Sequence, residues 1–114
     1  MLVLGDNNIP AESIVVAKSV KKCILLADAT ATVILFGSRA RGDAENDSDW
    51  DFLVLTEKSD IDSISQELRK IMLREVELKY GVAISLLVKN IRTWQSEYAV
   101  TNIYESIIEE GIEL

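Results

Sequence analysis

The sequence predicts one domain of the α/β class, in its α+β form, with a small mixed sheet of about three strands packed against helices. Three apolar runs have the length of buried strands, and segments with helical spacing of apolar residues lie before, between and after them. The chain has 114 residues, 48% of them hydrophobic, which is enough to bury one core. We therefore expect residues 1–114 to form a single domain.

A short leader and one long helix make up the first quarter of the chain. Leu2-Val3-Leu4 is expected either to form a brief strand or to pack on a neighbouring element, and residues 5–8 indicate a turn. Pro10 suits the first turn of a helix, and the apolar spacing after it predicts that helix over residues 11–28. We therefore expect the main strands of the sheet to follow this helix in the sequence.

The first two main strands flank a polar loop. Residues 32–36 and 49–56 are largely apolar, which predicts strands buried on both faces of the sheet. Residues 37–48 between them are rich in Gly, Asp, Ser and Arg, which predicts a loop. No packing requirement explains a loop of this polarity, so it is the first candidate for a functional site.

The second half of the chain predicts a crossover and two closing helices. Ser59 is a suitable N-cap for a long helix that ends just before Gly81. Residues 82–88 predict a third strand, and the succession of strand, long helix and strand indicates parallel neighbours in the sheet. Further helices are expected over residues 91–99 and 102–110.

Composition and charge exclude several classes of function. The net charge of −7 argues against sequence-independent binding to DNA or RNA, which needs a basic surface, so we expect no nucleic-acid partner. The absence of histidine excludes zinc–histidine sites and histidine bases. The chain has no cationic leader followed by an apolar segment and no apolar run of membrane-spanning length. We therefore expect a cytoplasmic protein without a membrane partner.

Four residues at the start of the loop suit a phosphate group. Gly37 has no Cβ, so a ligand can approach its backbone closely, and Ser38 adds a hydroxyl and a backbone amide directly after the strand. Arg39 and Arg41 are the only positive charges in the loop, and guanidinium groups match phosphate oxygens. The loop is therefore expected to bind the phosphates of a nucleotide.

Two aspartates open the second strand. Asp49 and Asp51 lie two positions apart, so we expect both carboxylates on one face and Trp50, between them, in the core on the other face. Close pairs of carboxylate oxygens suit Mg²⁺, which takes water and substrate phosphates as its other ligands. The loop and the pair together predict a site for a metal-bound nucleoside triphosphate.

The polar residues of this stretch have a definite order. Gly37-Ser38 is separated by ten residues, which include Arg41-Gly42 and Ser48, from Asp49-x-Asp51. This pattern resembles the signature of the DNA polymerase β-like nucleotidyltransferases. It is most similar to the minimal nucleotidyltransferase branch, small bacterial proteins often encoded beside a HEPN-type toxin. The end of the chain, in which Glu110-Gly111 precedes an apolar residue, is also similar to that branch.

The resemblance implies a polymerase β-like fold and transfer of a nucleoside monophosphate, AMP from ATP above all, to a hydroxyl such as a tyrosine of a HEPN-type partner. It implies that Asp49 and Asp51 are catalytic and hold one or two Mg²⁺ ions. It also implies that Gly37, Ser38 and Arg41, with help from Arg39, hold the phosphates. The chain is too short for a separate acceptor-binding domain, so a partner protein or a second copy would supply that surface. The alternative is a catalytically weak or inactive antitoxin module that binds nucleotide and neutralises its partner by contact.

The family pattern includes a third carboxylate on the next strand, and Ser85 occupies the corresponding position here. A serine is a weak metal ligand and a poor base near neutral pH. Three explanations are open. Glu75 or Glu77, near the end of the preceding helix, could substitute for the missing acid. The substrate or a partner could supply it. Or the domain binds nucleotide with little or no transfer.

Overall fold

The structure, a computed structural model, describes residues 1–3 and 10–114. Leu4 and the predicted turn at residues 5–8 lie outside the described residues. A mixed sheet runs through the domain, and its strands are β1 (Leu2–Val3), β2 (Thr32–Phe36), β3 (Trp50–Thr56), β4 (Ile84–Asn90) and β5 (Ile112–Glu113).

The strands lie in the order β1-β5-β2-β3-β4. β3 runs parallel to β4, as the strand–helix–strand succession predicts, and antiparallel to β2. The α+β prediction is confirmed, but the described sheet has five strands and not about three. Of the two additional strands, β1 lies within the segment Leu2-Val3-Leu4, for which a brief strand is one expectation, and β5 is two residues long, which is too short for a period-of-two pattern to indicate it.

The helices are α1 (Ala11–Ala27), α2 (Ser38–Arg41), α3 (Ile61–Glu67), α4 (Leu73–Tyr80), α5 (Ile91–Ser96) and α6 (Asn102–Glu110), and a π-helical turn (Leu68–Met72) joins α3 to α4. The short helix α2 lies in the segment predicted as loop. The N-cap of α3 is Asp60, whose side chain accepts from the Ser63 N–H at 3.1 Å, and not Ser59. Among the described residues no helix is long and apolar enough to cross a membrane.

The sheet separates two helical layers. Helices α1, α3 and α4 pack on the face that carries alternate residues of β3, including Trp50 and Phe52. Helices α5 and α6 cover the other face, where Trp94 and Ile107 pack on Leu53. Trp50 is 3% exposed in the first layer, so its predicted place in the core is confirmed. Because side chains alternate along a strand, Asp51 belongs to the face of α5 and α6.

Candidate active site

The polar loop begins with a sharp change of backbone direction at Gly37. This residue has φ +74° and ψ −159°, a conformation that is essentially restricted to glycine. Its carbonyl accepts hydrogen bonds from the N–H groups of Ala40 and Arg41 at 3.1 and 3.0 Å, which starts helix α2. The first N–H groups of a helix have no partner within it, and here they follow Gly37 directly. The loop therefore presents backbone donors at the end of β2, beside Ser38.

Asp51 lies against this glycine. It pairs with Phe36 in the antiparallel ladder between β2 and β3, so its side chain stands next to the turn. A Cβ built on Gly37 would overlap the Asp51 carboxylate, and the contacting atom would be Oδ2. Glycine at this position therefore makes room for a carboxylate of the chain itself, in addition to any ligand.

Asp49 and Asp51 form an electrostatically coupled pair. Burial raises the pKa of the Asp51 carboxyl, the nearby charge of Asp49 raises it further, and the guanidinium of Arg41 partly opposes both effects. Asp49 is exposed and lies one residue before β3. An ionised pair of this kind is unfavourable without a compensating cation, and its ligand atoms are hard oxygens. The two carboxylates therefore fit a divalent cation such as Mg²⁺.

Arg41, the last residue of α2, makes two ion pairs. Its Nε donates to Oδ2 of Asp43 at 3.2 Å, and its Nη1 donates to Oε1 of Glu110 at 3.1 Å. The Arg41 side chain remains 45% exposed. The positive charge of Arg41 also partly opposes the rise in the pKa of Asp51. Its exposed guanidinium makes Arg41 a candidate contact for a phosphate group.

The structure places Arg39 on the other face of the sheet from Asp51. Its guanidinium lies 4.8 Å from the ring centroid of Trp50, and its Nη2 donates to the carbonyls of Asn46 and Ser48 at 3.3 and 3.0 Å. The Ser48 hydroxyl in turn accepts from the Glu45 N–H at 2.8 Å. These contacts fix the course of the loop just before the aspartate pair.

Ser85 lies at the third metal-ligand position expected from the family pattern. It is paired with Asp51 in the parallel ladder between β3 and β4, so the two side chains point to the same face. The structure does not bring Glu75 or Glu77 to that face. Glu77 Oε2 accepts from the Ile84 N–H at 3.0 Å, and Glu75 lies near Cys23 of α1, where its charge adds to burial in raising the cysteine pKa.

No group of three or more His, Cys, Asp or Glu side chains with the spacing of a metal site occurs in the described part of the chain. The candidate metal ligands at the loop are the two aspartates, and Ser85 is paired with Asp51 in the sheet.

Sequence reasoning missed Glu110 as a contact of the site. Its distance from the loop along the chain, 69 residues from Arg41, gives no local signal. The only indication was the similarity of the Glu110-Gly111 ending to other small family members. The pairing of Arg41 with Asp43 was also missed, although two residues of opposite charge so close together make it an obvious candidate.

Comparison with known proteins agrees with this geometry. A family model described as a nucleotidyltransferase domain matches residues 17–114. A protein of Methanocaldococcus jannaschii with the name "putative protein adenylyltransferase" is 41% identical over 86 residues, which cover 72% of this chain and 86% of that protein.

Two solved structures share the fold. One, described as a toxin-antitoxin with AMP-PNP, has a TM-score of 0.61 and 17% identity, and the match covers 85% of this chain and 70% of the other. The second, described as a putative minimal nucleotidyltransferase, has a TM-score of 0.59 and 25% identity over 90% of this chain and 95% of the other. The match of the family model to residues 17–114, together with the 41% identical relative, confirms the predicted resemblance, and the chain belongs to the nucleotidyltransferase domain family.

Proposed function

We propose that this protein is a Mg²⁺-dependent nucleotidyltransferase that transfers a nucleoside monophosphate, AMP from ATP, to a hydroxyl group of another protein. The observation that carries the proposal is the coupled pair Asp49 and Asp51, which stands beside the glycine turn that opens α2. Two neighbouring carboxylates, of which Asp51 has a raised pKa, lie next to the backbone N–H groups that begin α2, and this combination suits a triphosphate with its metal ion.

The residues of the chain have separate tasks in this proposal. Asp49 and Asp51 would hold the metal, and the backbone at Gly37 and Ser38 would bind the β- and γ-phosphates, with Arg41 neutralising phosphate charge. Bound Mg²⁺ supplies charge neutralisation of the phosphates and of the leaving group. The acceptor oxygen bonds to the α-phosphorus, the bond to the β-phosphate breaks, and pyrophosphate leaves. The hydroxyl proton needs a base that Ser85 cannot supply near neutral pH.

The proposed acceptor is a tyrosine of a HEPN-type partner protein. The relative with 41% identity carries the name of a protein adenylyltransferase, and one fold neighbour is described as a toxin-antitoxin, both of which support a protein acceptor. A partner or a second copy of the chain would also be the natural source of the missing base. We propose the cytoplasm as the location and one domain as the unit of function.

A second candidate is an antitoxin module that binds nucleotide and neutralises a partner by contact. The observation that favours it is Ser85, which is paired with Asp51 where the family pattern has a carboxylate. In this case the acidic surface, with net charge −7, would cover a basic face of the partner.

Substitution of Ser85 distinguishes the two candidates. The measurement is transfer of label from α-labelled ATP, with Mg²⁺, to the protein encoded beside this chain. If the chain is a nucleotidyltransferase, the natural chain labels the partner and Asp51→Asn abolishes labelling. Ser85→Asp raises the rate of labelling by about tenfold or more, because a positioned base contributes roughly 10²–10⁴-fold.

The matched control is Ser59→Asp, which adds the same charge at an exposed position after the far end of β3 and should leave the rate unchanged. Binding of MgATP without transfer in both the natural chain and Ser85→Asp would support the antitoxin module instead. Absence of MgATP binding would overturn both candidates.

A further inference from the structure

Glu110 lies at the closely packed C-terminal end of helix α6. Ile107, one turn earlier, is fully buried, and Gly111 follows directly. A Cβ on Gly111 would come within 2.5 Å of the Ile107 carbonyl oxygen and 2.9 Å of a methyl carbon of Ile34. The chain then continues as β5, in which Ile112 pairs with Leu35. The end of α6 is therefore fixed against β2.

Arg41 lies in a less constrained segment. It ends a helix of four residues with no buried side chain, and Gly42 after it has φ +86°. Of its two ion-pair partners, Asp43 is two residues away in the same segment and 63% exposed, so it moves with Arg41. Glu110 is 24% exposed and belongs to the other end of the chain. Only Glu110 of these two can fix the guanidinium relative to the strand that carries Asp51.

The two ion pairs leave part of the guanidinium available. An arginine side chain has five N–H donors, and the contacts with Asp43 and Glu110 use one on Nε and one on Nη1. Three donors remain for phosphate oxygens. An arginine that is already ordered loses less rotamer entropy when a ligand binds than one that is free to rotate.

We propose that Glu110 is a positioning residue that holds the Arg41 guanidinium at the end of α2, the short helix that begins at the Gly37 turn beside Asp51, so that its remaining donors are ready for the phosphates of a metal-bound nucleotide. The inference rests on the proposed nucleotide site. It assigns the C-terminal end of α6, which touches no reacting atom, a role in nucleotide affinity.

The experiment is calorimetry of MgATP binding to Glu110→Gln, with Glu109→Gln as the matched control. Glu109 is exposed on the same helix and its substitution changes the net charge equally. We expect the Kd of MgATP to rise about three- to tenfold in Glu110→Gln, which corresponds to the ordering of one long side chain, and to stay unchanged in Glu109→Gln. Glu110→Asp should recover part of the affinity.

A double substitution separates positioning from a general structural effect. In an Arg41→Met background, Glu110→Gln should not weaken MgATP binding further, because the group that it positions is gone. An additional loss in that background, or a Kd in Glu110→Gln equal to that of the natural chain, would overturn the inference. Tighter binding in Glu110→Gln would also overturn it, since Glu110 would then compete with phosphate for Arg41. No MgATP binding by the natural chain would instead mean that the proposed function fails.

Discussion

Substitution of Gly37 by alanine tests the geometric basis of the site. The added Cβ would overlap the Asp51 carboxylate, and the backbone conformation at φ +74°, ψ −159° is essentially closed to alanine. The conformation alone costs about 1–3 kcal/mol, and Asp51 must also move away from its place beside the turn. We expect a lower free energy of unfolding and a weaker site for MgATP.

Gly42→Ala is the matched control for this substitution. Gly42 also has a positive φ, +86°, and no atom lies within 4 Å of a Cβ built there. The left-handed conformation costs about 1–2 kcal/mol, and both substitutions reduce the entropy of the unfolded chain equally. The comparison therefore separates what is particular to Gly37, namely its contact with Asp51 and its more restricted backbone conformation, from the cost common to glycines with a positive φ.

Urea unfolding and calorimetry of MgATP measure the two effects. Gly42→Ala should lose about 1–2 kcal/mol of stability and keep the affinity of the natural chain. Gly37→Ala should lose more stability and bind MgATP at least about tenfold more weakly. Transfer should fall by about 100-fold, because a displacement near 1 Å can reduce a rate by that factor. Equal MgATP affinities for the two variants would refute the idea that Gly37 is needed to make room for the Asp51 carboxylate.

Two further predictions concern the aspartate pair and Arg39. The folded state raises the pKa of Asp51, so its ionisation opposes folding, and this loss of stability develops as the pH rises from the ordinary pKa of the carboxyl through the raised one. Asp51→Asn should therefore be more stable than the natural chain at about pH 7 but not at about pH 3, and Mg²⁺ should stabilise only the natural chain. Urea unfolding without metal at about pH 3 and about pH 7, and with Mg²⁺ at about pH 7, measures both effects. Equal stability of the two chains at about pH 7 without metal would contradict the prediction. Arg39→Met should lower the free energy of unfolding by about 1–2 kcal/mol, since it removes two hydrogen bonds to loop carbonyls and the contact with Trp50, while the Kd of MgATP changes less than in Arg41→Met. A larger effect of Arg39→Met on that Kd would show instead that Arg39 contacts the phosphates directly.

The three long strands could be predicted from the sequence because each is a short apolar run bounded by polar residues. The predicted and observed bounds of β2 are the same. They differ by one residue at the start of β3 and by two residues at each end of β4. Helix α6 shows the limit of this reasoning. Ile103, Ile107 and Ile108 are all apolar, but only Ile107 is buried, and the other two are about 40% exposed. Which of several apolar side chains packs inward depends on the angle at which the helix meets the sheet, and no local pattern contains that angle.

The sequence alone determined the chemistry available at the site. Two carboxylates two residues apart and a Gly-Ser turn after a buried strand are local features, and local spacing is what a sequence records. The tertiary structure decided what each residue does with its neighbours. In the folded domain Arg39 packs on Trp50, Ser85 pairs with Asp51 in the sheet, and Glu110 forms an ion pair with Arg41. These contacts depend on strand register and on helix packing across the whole domain, and therefore only the assembled fold defines them.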